Sequence, residues 1–211
     1  MKAAAFAAWC ALSLIGGCAS LLPQPAALPS LFALEEASTT TQAPPGPPTP
    51  QPSPAADAPT LIVSATRAAA GFDSAQIVYR RQASEIEYFA NHQWVEPPAQ
   101  MLGPLIRRAV ERTGAYRAVL PSPTGVAGQL RLDTELVRLQ QEFFSAPSRV
   151  RLTLHVVLID TTTRRVVAWR NFDASVPVSR DDPRAGVAAA QQAVQQVMLE
   201  LAVFCAESAR P

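Results

Sequence analysis

Proline decides where this chain can fold. Of the 20 prolines in 211 residues, eleven fall between Pro23 and Pro59. A locked φ and a missing N–H donor keep so dense a run out of helix and sheet interiors, so the stretch is expected to be extended, polyproline-like and solvated. It has one interruption, Leu28 to Glu36, where Leu31-Phe32-Ala33-Leu34 has the composition of a short strand. The core must therefore be built from Thr60 onward, with that strand brought back to it across a disordered loop at 37–59.

Upstream of the proline run, Lys2 is followed by an apolar segment from Ala3 to Ile15 and then by Gly16-Gly17-Cys18. A basic start, an apolar run too short to span a bilayer and small residues at its end describe a secretory signal. Small residues directly before a cysteine resemble the lipobox of bacterial lipoproteins. The resemblance implies cleavage before Cys18 and acylation of its thiol. Ala19 and Ser20, in place of an aspartate, imply release to the outer membrane. An ordinary signal with an accidental cysteine and a transmembrane anchor are the competing readings, the second opposed by the shortness of the run. The domain plan is a signal peptide at 1–17, the lipidated cysteine and a tether at 18–27, and one folded domain at 28–211. In the polyproline form that tether spans roughly 28 Å at about 3.1 Å per residue.

Charge removes several function classes. Lys2 is the only lysine, so the chain after residue 17 carries 17 arginines against 17 carboxylates. So balanced a surface has no basic footprint for nucleic acid and no polybasic patch for anionic headgroups. Cys10 leaves with the signal and Cys18 is the acylation site. Cys205 then has no partner for a disulfide and lies on the apolar face of a helix as a small buried hydrophobe, without a redox role.

Apolar periodicity supplies the rest. Strands are expected at Thr60–Thr66, Gln76–Arg81, Glu85–Ala90 and Tyr116–Leu120, with the chain turning at Asn91-His92-Gln93. Leu130, Leu132, Thr134 and Leu136 share one face of a long strand whose apolar parity then changes to Val137 and Leu139, the mark of a bulge. Val150, Leu152, Leu154, Val156 and Leu158 alternate with polar residues, and Asp160-Thr161-Thr162-Thr163 turns that strand into Arg165–Val176 as a hairpin. Met101, Leu102, Leu105, Ile106, Ala109 and Val110 recur at helical spacing, with Thr113-Gly114 as a stop. Pro104 requires either a start near Gly103 or a kinked first turn. Asp182-Pro183 opens a last helix whose stripe runs from Val187 to Cys205. The fold class is α+β, an antiparallel-rich mixed sheet with two helices on one face.

Residues with catalytic potential are sparse. His92 and His155 are the only histidines, and no metal-ligand spacing accompanies them. Gly71-Phe72-Asp73-Ser74 lacks the second glycine and the strand-to-helix setting of a nucleophile elbow. Glu85 and Glu87 share one side of a strand, an arrangement that exposed strands also carry for solubility. No glycine-rich phosphate loop is present. The chain reads as a non-enzyme without metal or cofactor. Aromatics cluster instead: Tyr79, Tyr88, Phe89 and Trp94 lie within sixteen residues, and Phe143-Phe144 form a second pair. Tyr79 and Trp94 suit the core. Adjacent Tyr88 and Phe89 point to opposite faces of a strand, as do Phe143 and Phe144, so one of each pair should lie outward. Tyr88, Phe89, Trp94, Phe143 and Phe144 are the candidate contacts for a partner or a lipid chain.

Ile77-Val78-Tyr79, Ile86-Glu87-Tyr88-Phe89 and the run from Trp94 to Leu102 resemble the ABC-type transport auxiliary lipoprotein family, which includes the lipoprotein of the paraquat-inducible system. Leu152-Thr153-Leu154, Leu158-Ile159-Asp160, Arg170-Asn171-Phe172, Val176-Pro177 and the helix with Ala189 and Ala193 continue the likeness. It covers about Leu28 to Phe204, with Phe32-Ala33-Leu34 in the place of the family's first strand and 37–59 as a longer insertion. The resemblance implies an accessory to an ABC permease, its ATPase and a periplasmic MCE-domain subunit that together move phospholipid or other hydrophobic molecules between two membranes. It also implies a role in docking that conduit at the outer membrane, with no catalytic residues to transfer. Homo-oligomerisation is left open. The alternative is an assembly or pilot lipoprotein for an outer-membrane β-barrel or secretin. Because anchor and core are physically separate, Cys18→Ala is expected to abolish sedimentation with membranes while leaving the circular dichroism of the domain unchanged; a variant that still sediments would remove the lipobox assignment.

Overall fold

The computed structural model describes residues 28–35 and 57–209. The signal segment, Cys18, the tether and most of the 37–59 loop lie outside these residues. A thirteen-residue strand, β7 (Leu130–Glu142), is the axis of a nine-stranded sheet. Along one edge it pairs in parallel with three successive pieces of chain, β2 (Thr60–Val63), β3 (Arg67–Ala68) and β4 (Gln76–Arg80). Its other edge pairs antiparallel with β8 (Arg149–Asp160) over the whole length, and β8 pairs likewise with β9 (Val166–Pro177). Outside β4 lie β5 (Glu87–Trp94), antiparallel, and then β1 (Ser30–Phe32), parallel to β5 with Ser30 opposite His92. Outside β2 lies β6 (Ala118–Pro121). The parallel pairings are short and the β7–β8–β9 meander is long, so antiparallel bonding dominates a mixed sheet.

The expected bulge falls where the apolar parity changes. The β7–β8 register shifts between Leu136 and Arg138. Leu130, Leu132, Thr134 and Leu136 are buried before it, and Leu139 and Gln141 after it. Without the extra residue Leu139 would turn to the open face, so the bulge keeps one face of a long strand against the helices.

Both helices cover that face. Helix α1 (Pro98–Glu111) buries Leu102, Ile106 and Val110, and α2 (Pro183–Ser208) buries Val194, Val197, Leu201 and Cys205. Ala189, Ala190 and Ala193 are also buried and let α2 approach the sheet closely. Opposite them stand Leu152, Leu154, Val156, Leu158 and Phe172. Asp182 caps α2, its carboxylate accepting the Ala185 N–H at 2.8 Å, with Pro183 following. Gly186, in the first turn, leaves room for the buried Gln141 amide, whose Nε2 donates to Ser148 Oγ at 2.9 Å; a Cβ at 186 would collide with that amide.

Several expectations need correction. Helix α1 does not wait for Gly103: it begins at Pro98 and runs through Pro104. Pro104 lies on the exposed face, where the bond it deletes leaves only the carbonyl of exposed Gln100, within reach of water. The third strand does not stop at Ala90. It continues through Asn91-His92-Gln93 to Trp94, because β1 pairs with His92, Gln93 and Trp94, and the Trp94 N–H donates to Ala75 O at 2.8 Å. The Thr60–Thr66 strand ends at Val63, and β3 is a separate piece. β5 also starts at Glu87 rather than Glu85, and the strand expected at Tyr116–Leu120 is Ala118–Pro121, while two turns fall as expected. Gly114 has φ +64° at the exit of α1, and the β8–β9 turn is closed by Asp160 Oδ1, which accepts the Thr162 and Thr163 N–H groups at 2.8 and 2.7 Å.

The Asp182 carboxyl is held below the usual carboxylate range by the Ala185 N–H it accepts. A depressed native value means that its contribution to stability is present above the unfolded carboxylate range and is lost as pH falls through the native value. Asp182→Ala is therefore expected to lower the melting temperature at neutral pH, with the gap to the native chain closing in acid; a gap independent of pH would show that the cap does not carry it.

Candidate functional site

An aromatic ladder crosses β1, β5, β4 and the end of β7. Phe32 stacks on His92 with centroids 5.9 Å apart, His92 meets Phe89 edge-on at 6.4 Å, Phe89 lies 4.4 Å from Tyr79, and Tyr79 meets Phe143 edge-on at 5.9 Å. Two cations lie over its rings, Arg184 over Phe32 at one end at 5.9 Å and Arg81 over Tyr79 at 5.1 Å. The Tyr79 hydroxyl donates to Glu87 Oε2 at 2.7 Å, and Arg81 reaches the same oxygen at 3.3 Å. Hydrogen bonding to that carboxylate raises the Tyr79 phenol above its ordinary value, with burial adding to the rise. Glu87 is thus taken up by a structural pair.

Of the aromatics singled out in the sequence, Tyr88 and Phe144 are outward, 39% and 51% exposed. Phe89 and Phe143 are half-buried in the ladder, so each adjacent pair divides as strand geometry requires. Trp94 is only 3% exposed, in the core with Leu139 and Val187. It cannot serve as a surface contact and is withdrawn from the candidates. Cys18 lies outside the described residues. Tyr88, Phe144 and the loop 81–86 lie toward one end of the sheet. The chain also enters there, since β1 runs opposite to β7 and so meets the sheet from the end where β7 finishes.

The sheet face away from the helices changes character along its length. Toward the β7 C-terminus it is polar. Arg151 grips Asp173 with Nη2 to Oδ2 at 2.6 Å and Nε to Oδ1 at 3.1 Å, and this pairing holds the Asp173 carboxyl below its usual range. Arg149 donates to Ser175, and His155 Nδ1 lies 2.6 Å from Asn171 Oδ1. Toward the β8–β9 turn the face becomes apolar: Val157 opposes Trp169, and Ile159 opposes Val166. Trp169 is 64% exposed, more than any other aromatic among the described residues. Aromatic density along the sequence does not find it. Strand parity does, since Phe172, Ala174 and Val176 fix the inward set of β9 and place Trp169 on the opposite face.

Other reactive groups are engaged structurally. Ser64, at the margin of a 160 Å³ cleft between β2 and α1, donates to Asp133 Oδ1 at 2.6 Å, and no histidine lines that cleft. Cys205 is fully buried, and burial pushes its thiol up to about 12. Its carbonyl accepts the Tyr116 hydroxyl at 2.7 Å, joining α2 to the chain after α1. No group of three or more His, Cys, Asp or Glu side chains among the described residues is placed to hold a metal, and no described helix is long and apolar enough to cross a membrane.

A family model described as the ABC-type transport auxiliary lipoprotein component matches residues 41–202. Among solved structures, a Xanthomonas campestris protein of family DUF330 matches with TM-score 0.69 and 27% identity, over 85% of this chain and 96% of that one. An uncharacterized protein matches with TM-score 0.63 and 12% identity, over 84% and 99% of the two chains, a likeness of fold alone. No protein of curated function matches this chain. Trp94→Ala is expected to cost about 3–5 kcal/mol in denaturant unfolding, whereas Phe144→Ala should stay within about 0.5 kcal/mol; near-equal effects would contradict the division of these rings between core and surface.

Proposed function

The chain belongs to the family of ABC-type transport auxiliary lipoprotein components, and from that premise we propose that it is the outer-membrane-anchored, periplasm-facing accessory of an MCE-type ABC transport system moving phospholipid or other hydrophobic molecules between inner and outer membranes. The family match over residues 41–202 carries the reading. Gly16-Gly17-Cys18 supports the lipid anchor, with Cys18 as the acylated residue, and Ala19-Ser20 supports the outer membrane as its destination. The domain acts by binding: Glu87, Asp133, Asp160, Asp173 and Asp182 are held in ion pairs, a turn and a cap, and exposed aromatic surface is what it presents. Tyr88, Phe89, Phe143 and Phe144, toward the end of the sheet where β7 finishes, are the proposed contacts for a lipid chain or a partner. With permease and ATPase supplied by other chains, this chain needs no nucleotide site.

The test is capture from membranes. A tag beyond Arg210, crosslinking in intact cells and detergent extraction are expected to bring down an MCE-domain subunit together with the tagged chain. Recovery of a β-barrel or secretin without that subunit would overturn the transport role and favour an assembly lipoprotein.

A further inference from the structure

Strands β2 and β6 run parallel and end together, with Val63 opposite Pro121. Directly beyond them lies the 160 Å³ cleft that Ser64 borders, with Gly103, Pro104 and Arg107 of α1 on its other side. The crevice outside the carboxyl ends of parallel strands is where open sheets flanked by helices ordinarily take ligands. The space is enough for a small molecule, since an engineered cavity of about 150 Å³ admits benzene.

The helix side of the cleft is kept low at Gly103. A Cβ there would meet nothing within 4 Å, so no packing contact calls for glycine. The missing Cβ also relieves the helical backbone before Pro104. On either account α1 turns bare backbone to the cleft at this point, and Arg107, one turn further along the same face, borders it.

The lining carries one sign of charge. Arg107 is the only charged residue among the described residues that border the cleft. Its Nε lies 3.4 Å from Glu111, an i, i+4 pair on the surface of α1 with both side chains partly exposed, and such a pair is weak enough for an anion to displace. Across the cleft the Ser122 N–H donates to Val63 O at 2.9 Å, while its hydroxyl makes no hydrogen bond to a described residue. Ser64 has the opposite character. Its proton is committed to Asp133, which Arg131 neutralises at 3.1 Å, so its oxygen can only accept from a ligand. Two donors on separate elements suit a tetrahedral anion, whose oxygens point in several directions, better than a planar carboxylate. The acceptor beside them suits a hydroxyl.

We propose that this cleft binds a small hydroxylated phosphoester of the glycerol phosphate type, with Arg107 and Ser122 donating to the phosphate and Ser64 accepting from the hydroxyl. The chemistry of the site stands by itself; only a phospholipid headgroup as the source of the ligand rests on the transport reading. The test is a titration of the isotope-labelled full chain, in a phosphate-free detergent, with sn-glycerol 3-phosphate and separately with short-chain phosphatidylglycerol. Saturable shifts of the Ser64, Gly103 and Ser122 amide signals are expected. Shifts with the lipid assign the ligand to a headgroup. Shifts with glycerol 3-phosphate alone assign it to a soluble phosphoester and leave the transport reading to the capture of its MCE-domain subunit. Arg107→Gln, at a half-buried helix position, should leave the melting temperature unchanged and weaken binding by at least about tenfold. Glu111→Gln, which frees Arg107 from its competing carboxylate, should tighten binding by about two- to fivefold. No saturable shift with either ligand, or binding that Arg107→Gln leaves intact, overturns the proposal.

Discussion

β7 carries hydrogen bonds on both of its edges, and the remaining architecture follows from how those edges are shared. Its β8 side is taken by one continuous antiparallel partner, while its other side is divided among β2, β3 and β4, all running parallel to it. A divided edge lets the sheet branch: β4 carries β5 and β1 at one end of β7, and β2 carries β6 at the other. The bulge between Leu136 and Arg138 is what allows so long a strand to keep a buried face throughout. Without it the second half of β7 would turn Gln140 rather than Gln141 toward α2, and the fit of the Gln141 amide beneath Gly186 would be lost.

Much of this could be read from residue order because the informative signals were local. The β7 parity change, the uninterrupted alternation of Val150 to Leu158, the Asp160 turn and the Asp182-Pro183 cap each depend on neighbours within a few positions. Features that depended on distant partners were not legible. Nothing near Asn91-His92-Gln93 reveals that β1 will pair alongside and hold the strand extended. Nothing near Arg67-Ala68 reveals that Glu135 and Leu136 will be waiting for it. Pro104 was misjudged for a related reason. Its cost depends on whether the abandoned carbonyl meets water, and that is a property of the packed helix.

Binding surface was harder to read than fold. Aromatic density along the chain found the Tyr79–Phe89–Phe143 ladder, because three of its strands are close in sequence or end beside one another. It missed Trp169, which stands alone in sequence and joins Val157 and His155 only across strands. Density also placed Trp94 among candidate contacts, although β1 closes over that position and Leu34, just beyond β1, is itself buried with its N–H on the Met101 sulfur at 3.3 Å. Burial of an aromatic is decided by what packs against it, and here that partner comes from the far side of the proline-rich stretch.

The two ends of the sheet are chemically distinct, and connectivity makes them so. Chain entry, the 81–86 loop, Phe144 and the first turn of α2 collect at the end where β7 finishes, with Arg184 over the Phe32 ring and Arg81 over Tyr79 and paired with Glu87. The β8–β9 turn collects at the other end, tied to the loop before β7 by the Thr161 hydroxyl, which donates to Gly128 O at 2.6 Å. That tie and the Asp160 turn anchor the hairpin tip to the loop before β7, and the β8–β9 register shift between Leu158 and Ile159 falls in the first residues of β9. A long outer strand is ordinarily a hazard, because another chain can add to it, and an irregularity of this kind is one of the ways in which an edge is made a poorer template.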